Sequence, residues 1–226
     1  MHIPITKYGL PQVLVYPAVI LVLMILLFMF MPKGSALAAT EIVLLAVFIW
    51  MLMFFRDPRR EIPLDEKTLL SPADGTITDI AETEIPELDG KALRIGMFLS
   101  IFNVHLNRMP CSVRVESVQY HKGWFKNAMS PESGRVNESN SVVMTRIAEP
   151  KNRLLVKQVS GAIARRIVCK AEPGREYAQG LAFGMIKFGS RTELYIPLQE
   201  GTYDIAVKIG DKVRAGISPL VVYKHE

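Results

Sequence analysis

Hydrophobic and polar positions fall into two regimes along the chain. From Val13 to Met31 there are 19 residues without a charge, and the 20-residue apolar run from Ala36 to Phe55 is interrupted only by Thr40 and Glu41. At about 1.5 Å per helical residue, each run spans roughly 30 Å, the thickness of a bilayer core. Pro32-Lys33-Gly34-Ser35 between them is short and turn-like. The pattern predicts an N-terminal transmembrane helical hairpin. Two other readings compete with it. Ala36-Leu37-Ala38 resembles a signal-peptide cleavage site, but the first run exceeds the about 7–15 apolar residues usual there and a second run follows at once. Burial of both runs in a soluble core is the other reading, and neither block shows the face that this would require.

Beyond Phe55 the pattern changes. Arg56-Asp57-Pro58-Arg59-Arg60-Glu61-Ile62-Pro63 is a charged, proline-bearing linker, followed by short runs with β-branched residues. Strands are expected at 75–82, 92–99, 112–121, 141–148, 153–159, 163–170, 181–188, 192–197, 203–208 and 218–223. Turn signals separate most of them, among them Pro86, Pro131-Glu132-Ser133-Gly134, Glu172-Pro173-Gly174, Glu200-Gly201 and Ile209-Gly210-Asp211. Ile101 to Asn107 reads as a short helical piece, and no long segment of 3.6-residue period follows the hairpin. The expected fold class is mostly β: a compact sandwich or barrel-like domain over residues 62–226, preceded by a membrane hairpin and linker over 1–61. The segment Val207 to Gly216 has a hairpin flavour shared with biotinyl and lipoyl carrier domains, but no lysine stands at a tight turn between hydrophobic flanks as in those carriers.

Charge adds an orientation. Arg56, Arg59 and Arg60 follow the second run and Lys7 precedes the first, whereas the turn between them has only Lys33. The positive-inside rule then puts both ends of the hairpin, and the β domain, on the cytoplasmic side of the cell membrane. Of the formal net charge of +5, the first 55 residues hold +1 (Lys7 and Lys33 against Glu41), leaving +4 for the rest. That excess suits an anionic membrane surface or substrate, and equally an ordinary solvated surface. A nucleic-acid partner is not expected, because no basic block is interleaved with aromatics. Cys111 and Cys169 lack metal-ligand spacing and fit small core residues in a reducing compartment. No metal site is expected, since there is also no His-x-His pair.

Candidate chemistry centres on Phe188-Gly189-Ser190-Arg191, set between the apolar runs 181–186 and 194–197. Most Gly-Ser pairs are plain turns. Between two strand-like runs, the same pair offers an unhindered carbonyl on Gly189 and a hydroxyl on Ser190, the two parts of a self-cutting bond. Of the four histidines, His2 and His225 are near the termini and are not expected to take part. His105 is accompanied by Asn103, Asn107 and Arg108, a polar cluster suited to orienting an imidazole and binding an anion. A satisfied structural histidine is the alternative. His121 ends a strand and is the weaker candidate. Asp74, in Ser71-Pro72-Ala73-Asp74-Gly75, reads either as an Asp-Gly turn or as the carboxylate that fixes a histidine tautomer.

In order along the chain, Ser71-Pro72-Ala73-Asp74-Gly75, then His105 through Met109-Pro110-Cys111, then Phe188-Gly189-Ser190 resemble the phosphatidylserine decarboxylase proenzymes. The likeness covers essentially all of 62–226, and with two apolar N-terminal runs the chain looks like the short form of that family. The resemblance implies self-cleavage into a large chain, 1–189, and a small chain, 190–226, that remain associated as a heterodimer. It implies a covalent pyruvoyl group derived from Ser190, with no added cofactor. That group would form a Schiff base with the amine of phosphatidylserine, an anionic membrane phospholipid, release carbon dioxide and yield phosphatidylethanolamine. By the same resemblance Ser190 carries the reactive group and His105 is the proton donor, with Asp74 as a third catalytic residue; Arg108, as a fork of donors, and His121 are expected to bind substrate. Two departures stand out. Longer bacterial members carry a second histidine where this chain has Arg108, and arginine is no base at ordinary pH, so either His105 serves both steps, or His121 substitutes, or Asp74 acts more directly. Many relatives also have Leu-Gly-Ser-Thr in place of Phe-Gly-Ser-Arg. The competing functions are a membrane-anchored β carrier or scaffold without enzymatic activity, a serine hydrolase, which the absence of a Gly-x-Ser-x-Gly elbow disfavours, and a decarboxylase of a related ether-linked serine phospholipid.

Overall fold

The computed structural model describes residues 5–88, 90–162, 166–187, 189–199 and 201–224. The chain divides into two compact units, Met1–Arg59 and Arg60–Glu226.

The first unit is a pair of helices, α1 (Leu10–Phe30) and α2 (Ser35–Phe54). Proline in the first turn of α1 starts that helix without losing a needed N–H. Leu14, Val19, Phe28 and Phe30 on α1 and Ile42, Val43 and Ile49 on α2 point outward and are exposed. Water does not tolerate a surface of this kind, whereas lipid does. Both helices are long and apolar enough to cross a membrane.

The second unit is mostly β. Its strands are β1 (Thr68–Leu70), β2 (Gly75–Ile85), β3 (Gly90–Leu99), β4 (Leu106–Arg108), β5 (Val113–His121), β6 (Ser139–Arg146) and β7 (Arg153–Ser160), then β8 (Arg166–Cys169), β9 (Glu176–Tyr177), β10 (Ala182–Lys187), β11 (Ser190–Pro197), β12 (Tyr203–Ile205), β13 (Lys212–Val213) and β14 (Pro219–Tyr223). A one-turn helix, α3 (Ser133–Val136), occupies the Pro131–Gly134 turn signal. The stretch read from sequence as a short helix, 101–107, is instead a turn followed by β4. Its apolar residues serve a strand pairing with β10, a long-range partner that local propensity does not register.

Eight strands form one curled, half-barrel sheet in the order β13-β2-β3-β11-β7-β6-β5-β9. Two three-stranded sheets, β1-β14-β12 and β4-β10-β8, complete the unit. Alternation along β11 shows how the large sheet is used. One face carries Ser190, Thr192, Leu194 and Ile196, in register with Leu99, Met97, Ile95 and Leu93 of β3. These apolar residues join Val156, Val142 and Phe183 in the main core, as the period of two requires. At the β11 start the same face turns polar: Ser190 is opposite Ser160, and Thr192 is opposite Gln158. The other face carries Arg191, Glu193 and Tyr195, all buried.

Candidate active site

Ser190 is the first residue of β11 and is paired with Leu99 on one side and Ser160 on the other. It is fully buried, and its Oγ has no hydrogen-bond partner among the described residues. A hydroxyl left in that state forfeits solvation, so its presence needs a reason. Gly189 before it has φ +64°, a left-handed conformation that glycine adopts without steric penalty. Its carbonyl oxygen lies against Gly161, where any Cβ would collide with it. The Gly189–Ser190 peptide bond is therefore set at a fixed corner, with the Gly189 carbonyl held against Gly161 and the Ser190 hydroxyl buried.

His105 is brought to this corner by two crossings of the chain. The turn after Leu99 leads from β3 to β4, and the link after Lys187 leads from β10 to β11, so both connect the small β4-β10-β8 sheet to the large one. The carbonyl of His105 accepts the Ile186 N–H at 3.2 Å. Its imidazole is buried, with Nδ1 3.0 Å from the Asn103 carbonyl. A carbonyl only accepts, so in the neutral ring Nδ1 carries the proton and Nε2 is the basic atom. Asn103 is itself held by a 2.9 Å bond from the Ser100 N–H to its Oδ1. Two residues after His105, Asn107 donates to Thr192 Oγ1 at 2.9 Å and accepts from Gln158 Nε2 at 2.8 Å. This buried amide chain fastens β4 to β11 and β7.

Asp74 closes the Ser71–Gly75 loop, just ahead of β2. Thr76 is level with Phe98, and Phe98 with Arg191, which puts Asp74 two strands from β11 at the Ser190 end, about 10 Å by strand spacing. Both of its oxygens are engaged by Arg60, at 2.7 and 2.9 Å, and Oδ1 also accepts the Ala215 N–H at 2.8 Å. A backbone carbonyl rather than this aspartate thus holds Nδ1 of His105, which differs from the tautomer-fixing part read from sequence. Arg108, half-buried, donates to the Gly180 carbonyl at 3.0 Å. His121 is exposed at the end of β5, level with Ser139, Val159 and Arg191 and so three strands from β11.

Several residues of the site escaped the sequence reading. Arg60 read as a membrane-flanking charge. Gly161 carried no signal, because its role lies in the close approach of a distant carbonyl. Lys187 closes β10, and its ammonium is held below its ordinary range by burial and then by the nearby charge of Arg166. Arg191 lies with Asp79, Thr78 and Glu193, Arg94 joins through Asp79 at 3.0 Å, and Tyr195 donates to Glu193 at 2.6 Å. Burial alone would raise the Asp79 carboxyl, but its bonds and charges from Arg191, Thr78 and Arg94 outweigh this and hold it below its ordinary value. The only sequence signal for this cluster was polar residues alternating inside an apolar strand. Among the described residues no group of three or more His, Cys, Asp or Glu is placed to hold a metal ion. Cys111 is buried, and burial pushes its thiol up to about 12 against the pull of Arg146.

Comparisons with known proteins agree in direction. A family model described as phosphatidylserine decarboxylase matches residues 47–220. A phosphatidylserine decarboxylase proenzyme of Rhodopirellula baltica is 40% identical over 224 residues, covering 99% of this chain and 90% of its own. One from Carboxydothermus hydrogenoformans is 44% identical over 173 residues, 76% of this chain and 79% of its own. A third, from Citrifermentans bemidjiense, is 39% identical over 213 residues and covers 94% of both.

Proposed function

The chain belongs to the phosphatidylserine decarboxylase family, and on that premise we propose that it cuts itself between Gly189 and Ser190 and then converts phosphatidylserine to phosphatidylethanolamine, a step of phospholipid biosynthesis. The observation that carries the reading is the buried Ser190 hydroxyl, without a hydrogen-bond partner among the described residues, next to a left-handed Gly189.

In the cut, Ser190 Oγ adds to the Gly189 carbonyl carbon and loses its proton. The bond from that carbon to the Ser190 nitrogen breaks, the nitrogen takes up a proton, and an ester remains. Loss of the Ser190 Cα proton with cleavage of its Cβ–O bond releases 1–189 as a carboxylate. Water then displaces ammonia from the resulting dehydroalanine, leaving a pyruvoyl group at the head of 190–226. That group supplies the ketone that binds the substrate amine and takes up the electron pair left by departing carbon dioxide. The residues at the corner fit such a group: the core face there is polar through Ser160, Thr192, Gln158 and Asn107 and otherwise closed. His105, with Nδ1 committed to Asn103, moves a proton at Nε2. Asp74 acts in the cutting stage. Arg108 and His121 are assigned to the substrate's anionic groups.

The two products would stay together, because β11 is paired along its length with β3 and along most of it with β7, both from the large chain. The apolar helices would hold the enzyme in the cell membrane, with the arginines after α2 placing the β domain in the cytoplasm. Denaturing mass spectrometry should resolve the purified protein into 1–189 and a 190–226 chain that reacts with a carbonyl reagent, and Ser190→Ala should stay whole. A wild-type chain that decarboxylates while uncut would sink the proposal.

A further inference from the structure

The rim of the large sheet that bears Gly189 and Ser190 also bears large apolar side chains turned to water. The row leads across the sheet from the cleavage corner. Ser160, opposite Ser190, gives both its N–H and its hydroxyl to the Glu138 carbonyl at 2.9 Å, and the Glu138 N–H bonds to the Trp124 carbonyl at 2.9 Å. The Asn137 amide ties the Lys126 and Ser160 carbonyls together, each at 2.8 Å. Ala128 packs at Gly161, the residue against which the Gly189 carbonyl rests. The segment 122–129 therefore borders the corner. Within it Trp124 is 71% exposed, and Phe125 and Met129 are exposed as well. On the other side of the corner is the 100–103 turn, whose Ile101 faces Gly189 and whose Phe102 is 66% exposed.

Rings held in water beside an active corner forfeit the free energy of their burial, so something covers them in use. The charges around them say what. Lys122 and Lys126 flank Trp124 and Phe125 and are exposed, Lys126 also pairing with the exposed Glu132 at 3.1 Å. Protein interfaces are depleted in lysine, whereas a lipid–water interface takes aromatic rings at headgroup depth and ammonium groups against anionic phosphates.

We propose that Phe102, Trp124, Phe125 and Met129, with Lys122 and Lys126, form a second membrane-contact surface on the β domain itself, and that its occupant is the interface of an anionic phospholipid bilayer. The purpose of the surface rests on the decarboxylase reading: a helical tether fixes distance to the membrane, whereas this rim fixes which end of the domain meets the headgroups.

The chain has two tryptophans, Trp50 in α2 and Trp124, so a full-length Trp50→Phe variant reports on Trp124 alone. In vesicles containing phosphatidylserine and lipids brominated near the headgroup, its emission should move to shorter wavelength and lose most of its intensity. A water-like emission untouched by bromine overturns the proposal. So does an emission shielded from aqueous quenchers yet untouched by bromine, which would place the rim against a second copy of the chain. A Trp124→Ser/Phe125→Ser variant should cleave normally and lose on the order of tenfold in kcat/KM on vesicles, with no change on short-chain phosphatidylserine dispersed as monomers. Equal loss on both substrates overturns the surface. Bromine quenching in a protein that decarboxylates neither substrate leaves the surface standing and removes the decarboxylase reading instead.

Discussion

Gly189 and Ser190 take opposite parts in one peptide bond. The glycine supplies a backbone conformation, φ +64°, and the serine a buried hydroxyl. His105 and Asp74, proposed to handle protons, are held by different partners, so their variants should separate two stages. His105→Ala should still yield some pyruvoyl chain but turn over about 10²–10⁴-fold more slowly, the usual cost of a lost general acid. Asp74→Ala should accumulate the uncut precursor. Arg60→Ala should do the same, because it strips a nearly buried carboxylate of its two-pronged partner, a loss of about 3–5 kcal/mol for such pairs. Arg60→Lys should not restore cleavage, since an ammonium lacks the fork. A gel for cleavage, paired with carbon dioxide release on phosphatidylserine vesicles, reads all four. Normal cleavage and turnover in His105→Ala would remove that histidine from the mechanism and make His121 the next candidate.

At the scale of elements, β11 sits between β3 and β7 and carries different chemistry on its two faces. Toward the core it presents Ser190 and Thr192. On the other side Arg191, Arg94, Asp79 and Glu193 balance two cations against two carboxylates. This cluster fixes the strand at whose first residue the proposed cut takes place. Asp79 has a folded pKa below its ordinary 3.8. Its contribution is therefore complete above that pH and is lost as pH falls through the lower folded value. Asp79→Asn should lower the thermal midpoint at neutral pH and flatten the loss of stability in acid; an unchanged acid limb would contradict it. Gly161→Ala tests the other side of the bond. Its methyl meets the Gly189 carbonyl, and overpacking of this kind costs about 1–3 kcal/mol. The variant should slow cleavage even where the fold survives, which a time course of precursor disappearance measures. Cleavage at the wild-type rate would mean that the carbonyl does not rest on Gly161 during the reaction.

The whole molecule couples an apolar hairpin to a β domain in which the bond proposed to be cut lies at the start of β11, the fourth of the eight strands of its largest sheet. Cutting there removes no strand from the sheet, because β11 keeps neighbours on both sides. The proposed topology, with both hairpin ends in the cytoplasm, puts the turn at Ser35 on the outer side. A Ser35→Cys chain should react with a membrane-impermeant maleimide added outside intact cells, whereas Cys111, buried with a raised thiol pKa, should react only after denaturation. Labelling of residue 35 from the cytoplasmic side alone would reverse the topology.

Period and composition determined the two apolar helices, the change to β structure after the linker, and the positions of most strands, since these depend on alternation within a few residues. The Gly189-Ser190 bond and His105 were also legible, because a glycine and serine between apolar runs and a histidine in a polar cluster are local patterns. Pairing order was not legible: β11 joins β3 and β7 from about a hundred and about thirty-five residues away in sequence, and no local rule encodes such distances. For the same reason the short β4, read as helix, needed its partner β10 to exist at all. Arg60 on Asp74, the Asn103 carbonyl on His105, Gly161 under the Gly189 carbonyl and the charge cluster behind Ser190 were likewise decided only by tertiary structure. Each is a contact between segments that become neighbours when the sheets close, and burial then makes every such polar partner obligatory.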